Sequence, residues 1–220
     1  MASTRPHLAV VYELSRSRYW GVISEGDRAL DAGQRALSLA EMIGEDSTLA
    51  TCYQALGHTF WRQARIREAT TAFGQMALFA SRTGDRGLEG TALTSQALAG
   101  MFSGMVADQL FGRLAKALAI AKQQNDKEAM ADLYSKIGYA RTTTAMGQFE
   151  QIEEELRYAL HLAESTGVRM QVSISMGSLG RFYTNRGDYR AAEGMLRTCQ
   201  ETERNWPDVW RHSVTPPLRR

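Results

Sequence analysis

Three large aromatic residues recur at one interval in this chain: Trp20, Trp61 and Phe102 stand 41 residues apart each time. His58 precedes Trp61 by three residues and Arg62 follows it directly. Tyr139, Arg181 and Asn185 occupy comparable places further on, as the repeat described below makes clear. Aromatic rings and guanidinium groups do little bond-breaking chemistry, but they dominate the binding energy of protein interfaces. A mixed aromatic and basic surface suits a peptide or an amphipathic segment. The competing placement is the hydrophobic core, where most aromatics at helical spacing reside. Yet Tyr19 and Phe60, one residue earlier, are also aromatic and fit the core slot. Adjacent positions on a helix differ by about 100 degrees, so two neighbours cannot face one seam. Both placements of Trp20, Trp61 and Phe102 stay open at this point.

Other chemistry finds no support. There is no phosphate-binding G-x-x-x-x-G-K-[ST], no H-E-x-x-H, no G-x-S-x-G and no dinucleotide fingerprint. The histidines His7, His58, His161 and His212 are far apart, and none has a second ligand three or four residues away, so neither metal nor other cofactor is expected. Glu153-Glu154-Glu155 reads as a solvated helix face, and Gly177-Ser178-Leu179-Gly180 as close helix packing. A non-enzymatic protein is the expectation.

Composition bounds the rest. Of 220 residues, 44% are apolar and 23% charged, with a net charge of +2, the balance of a globular protein with no long-range pull toward nucleic acid or membrane. Cys52 and Cys199 are isolated and fit a reducing compartment. The first seven residues lack the apolar run of a signal peptide, and the uncharged stretch 90–107 holds too many polar residues and glycines for a membrane span. A cytoplasmic location follows as an expectation. All four prolines, Pro6, Pro207, Pro216 and Pro217, lie in the tails, which permits an uninterrupted helical body.

An internal repeat supplies the elements that must position these residues. Leu37, Leu78, Leu118 and Leu160, each preceded by alanine, are spaced 41, 40 and 42 residues apart. Gly57, Leu98, Gly138 and Gly180 show the same irregular spacing, 41, 40 and 42. Gly44, Gly84, Asn125 and Gly167 mark turns, being residues that tolerate the left-handed conformation that ends a helix. Apolar residues between these marks run at helical spacing. The map predicts ten helices: first members over 7–23, 46–63, 86–104, 127–145 and 169–185, second members over 27–43, 66–83, 107–124, 149–166 and 189–204. The body then covers 7–204, with a tail at 1–6 and another at 205–220 in which Trp206 and Trp210 either cap the last pair or dock elsewhere. Residues 171–176 alternate with period two, as a strand would, but the repeat register places them in a helix.

Leu179-Gly180-x-x-Tyr183-x-x-x-Gly187-Asp188-Tyr189-x-x-Ala192-x-x-x-Leu196 resembles the tetratricopeptide signature, and Tyr53-x-x-Leu56-Gly57-x-x-Phe60 with Ala64, Ile66, Ala69 and Phe73 is similar. The long period resembles the subtype of MalT-like activators and kinesin light chains. The third pair departs from the pattern: Leu98 replaces the glycine, Met101 the aromatic and Leu110 the small alanine. The resemblance implies a right-handed α-solenoid of about five antiparallel helix pairs whose first helices line a concave groove. It places Trp20, Trp61, Phe102, His58, Arg62, Tyr139, Arg181 and Asn185 in that groove, as contacts for a protein or peptide. The carboxylate clamp of chaperone-binding relatives is not matched, since Gln54/His58 and Ser135/Tyr139 stand in its place. A ligand-sensing module controlling an effector is the second reading, an enzyme on a helical scaffold the third, and self-association stays open.

Overall fold

The computed structural model describes residues 4–204, so Trp206 and Trp210 lie outside the described residues. Those residues form ten α-helices: α1 (Thr4–Val22), α2 (Gly26–Ile43), α3 (Asp46–Arg62), α4 (Ile66–Thr83), α5 (Arg86–Ser103), α6 (Ala107–Gln123), α7 (Lys127–Thr144), α8 (Phe149–Thr166), α9 (Arg169–Arg186) and α10 (Tyr189–Arg204). Short turns join them, so sequential helices run antiparallel as hairpins.

The turns between hairpins are the ones the glycine series marks. Gly44, Gly84, Asn125 and Gly167 all have positive φ, between 52° and 75°. The carboxylates of Asp85 and Asp126 accept hydrogen bonds from the backbone N–H groups of Leu88 and Ala129, each at 2.9 Å, and cap α5 and α7. The turns inside hairpins form a second left-handed series, Ser24, Ala64, Gly104, Ala145 and Gly187. Three of these five are not glycine, which hides the series from a reading of residue types.

The chain divides into two compact units, residues 1–120 and 121–220. In the first, the second helices bury alanine-rich stripes. Ala29, Ala32, Ala36 and Ala40 of α2 are fully buried, as are Ala69, Met76 and Ala80 of α4. Such small residues let helices approach closely, and Gly57 marks one such approach: a methyl group there would lie 2.5 Å from the Phe73 ring. Tyr53, Phe60, Ala77, Phe79 and Leu88 pack around that cluster. The third hairpin solves the same problem differently. Leu98 is only half-buried, Gly100 provides the close approach against Met105 of the turn, and Leu110 with Leu114 fills the space a small alanine leaves elsewhere.

In the second unit, Gly138 meets Leu156 and Gly180 meets Leu196, with Leu156, Leu179, Phe182 and Tyr183 forming the core. Residues 171–176 are helical, as the register requires. Their alternation has an unexpected cause: Gln171, Ser173 and Ser175 are the buried members and Val172, Ile174 and Met176 are half-buried. Ser175 shares a 2.9 Å hydrogen bond with Ser135 of α7, so a polar seam joins these two helices.

Candidate functional site

In the first unit, α3 places His58, Trp61 and Arg62 on its last two turns. The Trp61 ring meets Phe102 of α5 edge-on, with centroids 5.6 Å apart. Both rings stay open to solvent, Trp61 at 36% and Phe102 at 54%. Two rungs of the expected aromatic ladder are therefore in contact on an accessible surface. The third is not built into that contact. Trp20 is half-buried, packs edge-on against Tyr19 at 5.0 Å and lies under the Arg28 guanidinium of α2 at 4.8 Å. Tyr19 does not take a core slot either; it is 59% exposed. The physical reason is positional. Phe60 packs on a cluster built from α3 and the two helices that follow it, α4 and α5, whereas the equivalent cluster beside α1 takes Val10 and Leu14 and leaves Tyr19 outside.

Arg62 reaches the other way. Its guanidinium lies on the backbone of α1 at Gly21, where any Cβ would collide with it. Gly21 stands 41 residues before Arg62, the same register position one hairpin earlier. Between α1 and α3 is a pocket of about 210 Å³ lined by Ser17, Arg18, Thr51, Gln54, Ala55, His58 and Arg62. The His58 side chain stands edge-on to the buried Phe73 ring at 5.3 Å. One side of His58 meets solvent, but the surrounding protein still penalises its charged form. Burial pushes its pKa below the usual histidine value, and the positive charges of Arg62 and Arg18 push it further down. Burial also lowers the Arg62 pKa. Arg18 is the member of this pocket that repeat counting misses, because its register equivalent on α3 is Thr59. Counting back from His58 and Arg62 does find Ser17, in the pocket wall, and Gly21.

In the second unit, Arg181 of α9 stacks over the Tyr139 ring of α7 at 4.9 Å, and Asn185 is exposed one turn beyond Arg181. The predicted residues of this unit thus share one α7/α9 surface. Glu153 does not simply face water. It accepts hydrogen bonds from the Tyr183 hydroxyl at 2.8 Å and from Arg157 and Arg186. Burial pulls its pKa up, and these three donors together outweigh that and hold it below the usual carboxylate value.

Among the described residues no group of three or more His, Cys, Asp or Glu side chains is placed to hold a metal ion, and no helix is long and apolar enough to cross a membrane.

No protein-family model matches the sequence, and no curated protein matches it. Solved structures do. A Podosopora anserina kinesin light chain with nearly identical TPR-like repeats aligns with a TM-score of 0.70 at 14% identity, over 88% of this chain and 94% of that one. A Rap protein complexed with Competence and Sporulation Factor aligns with a TM-score of 0.77 at 16% identity, over 92% of this chain and 56% of that one. YrrB, a TPR protein with an unusual peptide-binding site, aligns with a TM-score of 0.50 at 16% identity, over 88% and 86%. With ten helices, glycine-mediated close approach inside the hairpins and these matches, the fold is an all-α solenoid of tetratricopeptide-type helix pairs. Within that class it is similar in fold to kinesin-light-chain-like repeats.

Proposed function

We propose that this protein is a binding scaffold that holds a peptide or a protein segment against the inner faces of its first helices, and that it acts by holding rather than by chemistry. The observation that carries the reading is the accessible Trp61–Phe102 pair. Two large rings left partly in water are a typical anchor for a partner's apolar side chain. The Tyr139–Arg181 stack with Asn185 supports a second contact surface in the other unit. YrrB and the Rap protein show that the fold hosts such binding in other chains. We further place the chain in the cytoplasm, with a protein or peptide rather than nucleic acid or membrane as its partner; the burial of both cysteines agrees with a reducing compartment. Self-association is the alternative form of the same activity.

The test is capture of binding proteins by the immobilised wild-type chain, compared with Trp61→Ala and Arg62→Ala. Arg62 is exposed, so Arg62→Ala should melt within about 2 °C of the wild type, as surface substitutions typically change stability by no more than about 0.5 kcal/mol; Trp61→Ala also loses the edge contact with Phe102, about 0.5–1.5 kcal/mol, and should melt about 1–6 °C lower. A partner captured by the wild type and lost from both variants bears the proposal out. Variants that lose stability but keep full capture refute it.

A further inference from the structure

α1 is apolar on two opposite sides, and one of them is left in water. Val10 and Leu14 pack with Ala36 and Ala40 of α2, and the Ser17 hydroxyl donates to the Ala29 carbonyl at 2.8 Å. On the far side Leu8, Val11, Tyr12, Tyr19 and Val22, with Ile23 directly after the helix, are 46–77% exposed. At about 100 degrees per residue these six share one face, with Ser15 at its middle. No other helix among the described residues exposes more than two large hydrophobic side chains. The six together leave on the order of 700 Å² in water, above the roughly 300–600 Å² of the largest patch on an ordinary monomer and near the roughly 800 Å² that each partner gives to a standard interface. One hairpin later, the positions equivalent to Leu8 and Val11 are Leu49 and Cys52, which are buried with Val10, Ala36 and Ala40. These register positions suit a helix as their neighbour.

We infer that this face is covered by the same face of a second copy, packed antiparallel about a two-fold axis at Ser15. The stripe is self-complementary about that residue. An antiparallel copy sets Leu8 against Val22 and Ile23, and Val11 and Tyr12 against Tyr19, and the two-fold returns each contact. Ser15 is the small residue at the centre, where the two backbones come closest. Its hydroxyl already donates to the Val11 carbonyl at 2.8 Å, so covering it orphans no donor. Arg18 is the one exposed charged side chain on the face. It comes opposite Tyr12 of the second copy, where a guanidinium can lie over the ring, and about 9 Å along the axis from its own symmetry mate. α10 offers no such counterpart. Its exposed large hydrophobics are Tyr189 and Leu196, set among Arg190, Glu193, Arg197 and Glu201, which a head-to-tail stack would have to bury. The interface includes neither Trp61 nor Phe102, so it goes beyond the scaffold reading and does not depend on it.

The test is sedimentation velocity of the whole 220-residue chain from about 1 to 100 µM, the range expected of an interface at the small end of the standard size. The mass should rise from one chain to two and stop there. Val11→Glu and Tyr19→Lys each stay single over that range, with helical content by circular dichroism unchanged. Mixed one to one, these two variants pair again, because the new glutamate meets the new lysine while Val11 still meets Tyr19 in the other half of the two-fold. Mild oxidation should link two copies of Ser15→Cys through a disulfide. Leu8→Cys should stay unlinked, since its symmetry mate lies about 21 Å away along the axis at 1.5 Å per residue. Cys52 and Cys199 are buried and do not compete. A single-chain mass at about 100 µM overturns the inference, as does a dimer that survives Val11→Glu or a mass that grows past two chains. Cross-linking of Leu8→Cys as fast as Ser15→Cys, or failure of the mixed variants to pair, overturns the antiparallel arrangement and with it the inference. Trp61→Ala should leave the dimer intact, so the scaffold reading and the dimer are judged by different variants.

Discussion

Gly57→Ala and Gly112→Ala are the same substitution in the same unit, and the structure assigns them opposite signs. Both glycines sit in helices, α3 and α6, where alanine is worth about 1 kcal/mol over glycine in intrinsic preference. At Gly112 the added methyl group meets nothing within 4 Å, so that gain should appear in full. At Gly57 the methyl group would lie 2.5, 2.6 and 2.9 Å from three carbons of the Phe73 ring. That ring is nearly fully buried in the cluster of Ala50, Ala69, Met76 and Ala80 and in edge contact with His58. To reach ordinary contact it must retreat by almost 1 Å into close-packed surroundings, and overpacking of this kind costs about 1–3 kcal/mol. The preference term is common to both variants and cancels in their difference. Gly112→Ala should therefore exceed Gly57→Ala in stability by about 1–3 kcal/mol, with Gly57→Ala at or below the wild type. For a chain of this length the melting temperatures should differ by about 2–12 °C, read from ellipticity at the helix band on heating. Urea midpoints give the same comparison at constant temperature. Equal stabilisation by both substitutions would show that the hairpin does not depend on close approach at Gly57, and the account of how these helices nest would fail.

The left-handed Ala64, at φ 58°, should welcome glycine: Ala64→Gly relieves about 1–2 kcal/mol of steric cost, less about 0.5–1 kcal/mol of added chain entropy, for a net gain near 0.5–1 kcal/mol in urea denaturation. Glu89 is 6% exposed and bonded to Lys116 and Arg86; the Lys116 hydrogen bond first, with both positive charges, holds its pKa below the ordinary glutamate value of 4.5 in the folded state. Its contribution is thus complete above that value and fades as the pH falls further toward the lowered folded pKa, so Glu89→Gln should flatten the acid limb of a stability profile below pH 4.5 and a wild-type slope in the variant would contradict this. His58 has its folded pKa below 6.5, so it favours the fold while neutral and withdraws that support as the pH drops beneath 6.5; His58→Gln should remove this decline between pH 6.5 and 5 in thermal melts. Cys52 is fully buried and its thiol pKa is raised to about 12, so native protein at pH 8 should leave it unlabelled by a thiol reagent until denaturant is added.

Much of this fold was legible because the repeat leaves marks that do not depend on one another. Gly57, Gly138 and Gly180 share a spacing with the alanine–leucine pairs, and each turns out to meet a bulky side chain of the following helix: Phe73, Leu156 and Leu196. Gly44, Gly84, Asn125 and Gly167 advertise their left-handed turns by residue type. Ser24, Ala64 and Ala145 do the same work without a signal, since serine and alanine are ordinary helix-boundary residues. The site was legible in part. Register alone placed Trp61 beside Phe102 and Arg181 beside Tyr139, because equivalent positions on neighbouring first helices stand side by side. Register could not place Trp20, because the same argument presumes that Tyr19 packs as Phe60 does, and Tyr19 instead stays exposed with Trp20 edge-on against it. Arg18 escaped for a third reason: a pocket wall is made by adjacency in space, and only some of its members repeat.

The seam between α7 and α9 has a bearing on how the second unit moves. Its N-terminal portion is stitched by the Ser135–Ser175 bond, while the Gln171 amide nitrogen and the Ser173 hydroxyl are enclosed without a partner. Each such orphan costs about 1–3 kcal/mol relative to a hydrated one. Admitting water to this end refunds much of what separation loses, whereas Leu179, Phe182 and Tyr183 at the other end of α9 gain nothing from wetting. The helix is consequently fastened at its tail and unlatched at its head. Breathing should begin around residues 171–175, and deuterium should enter the amides there well before it reaches 179–183.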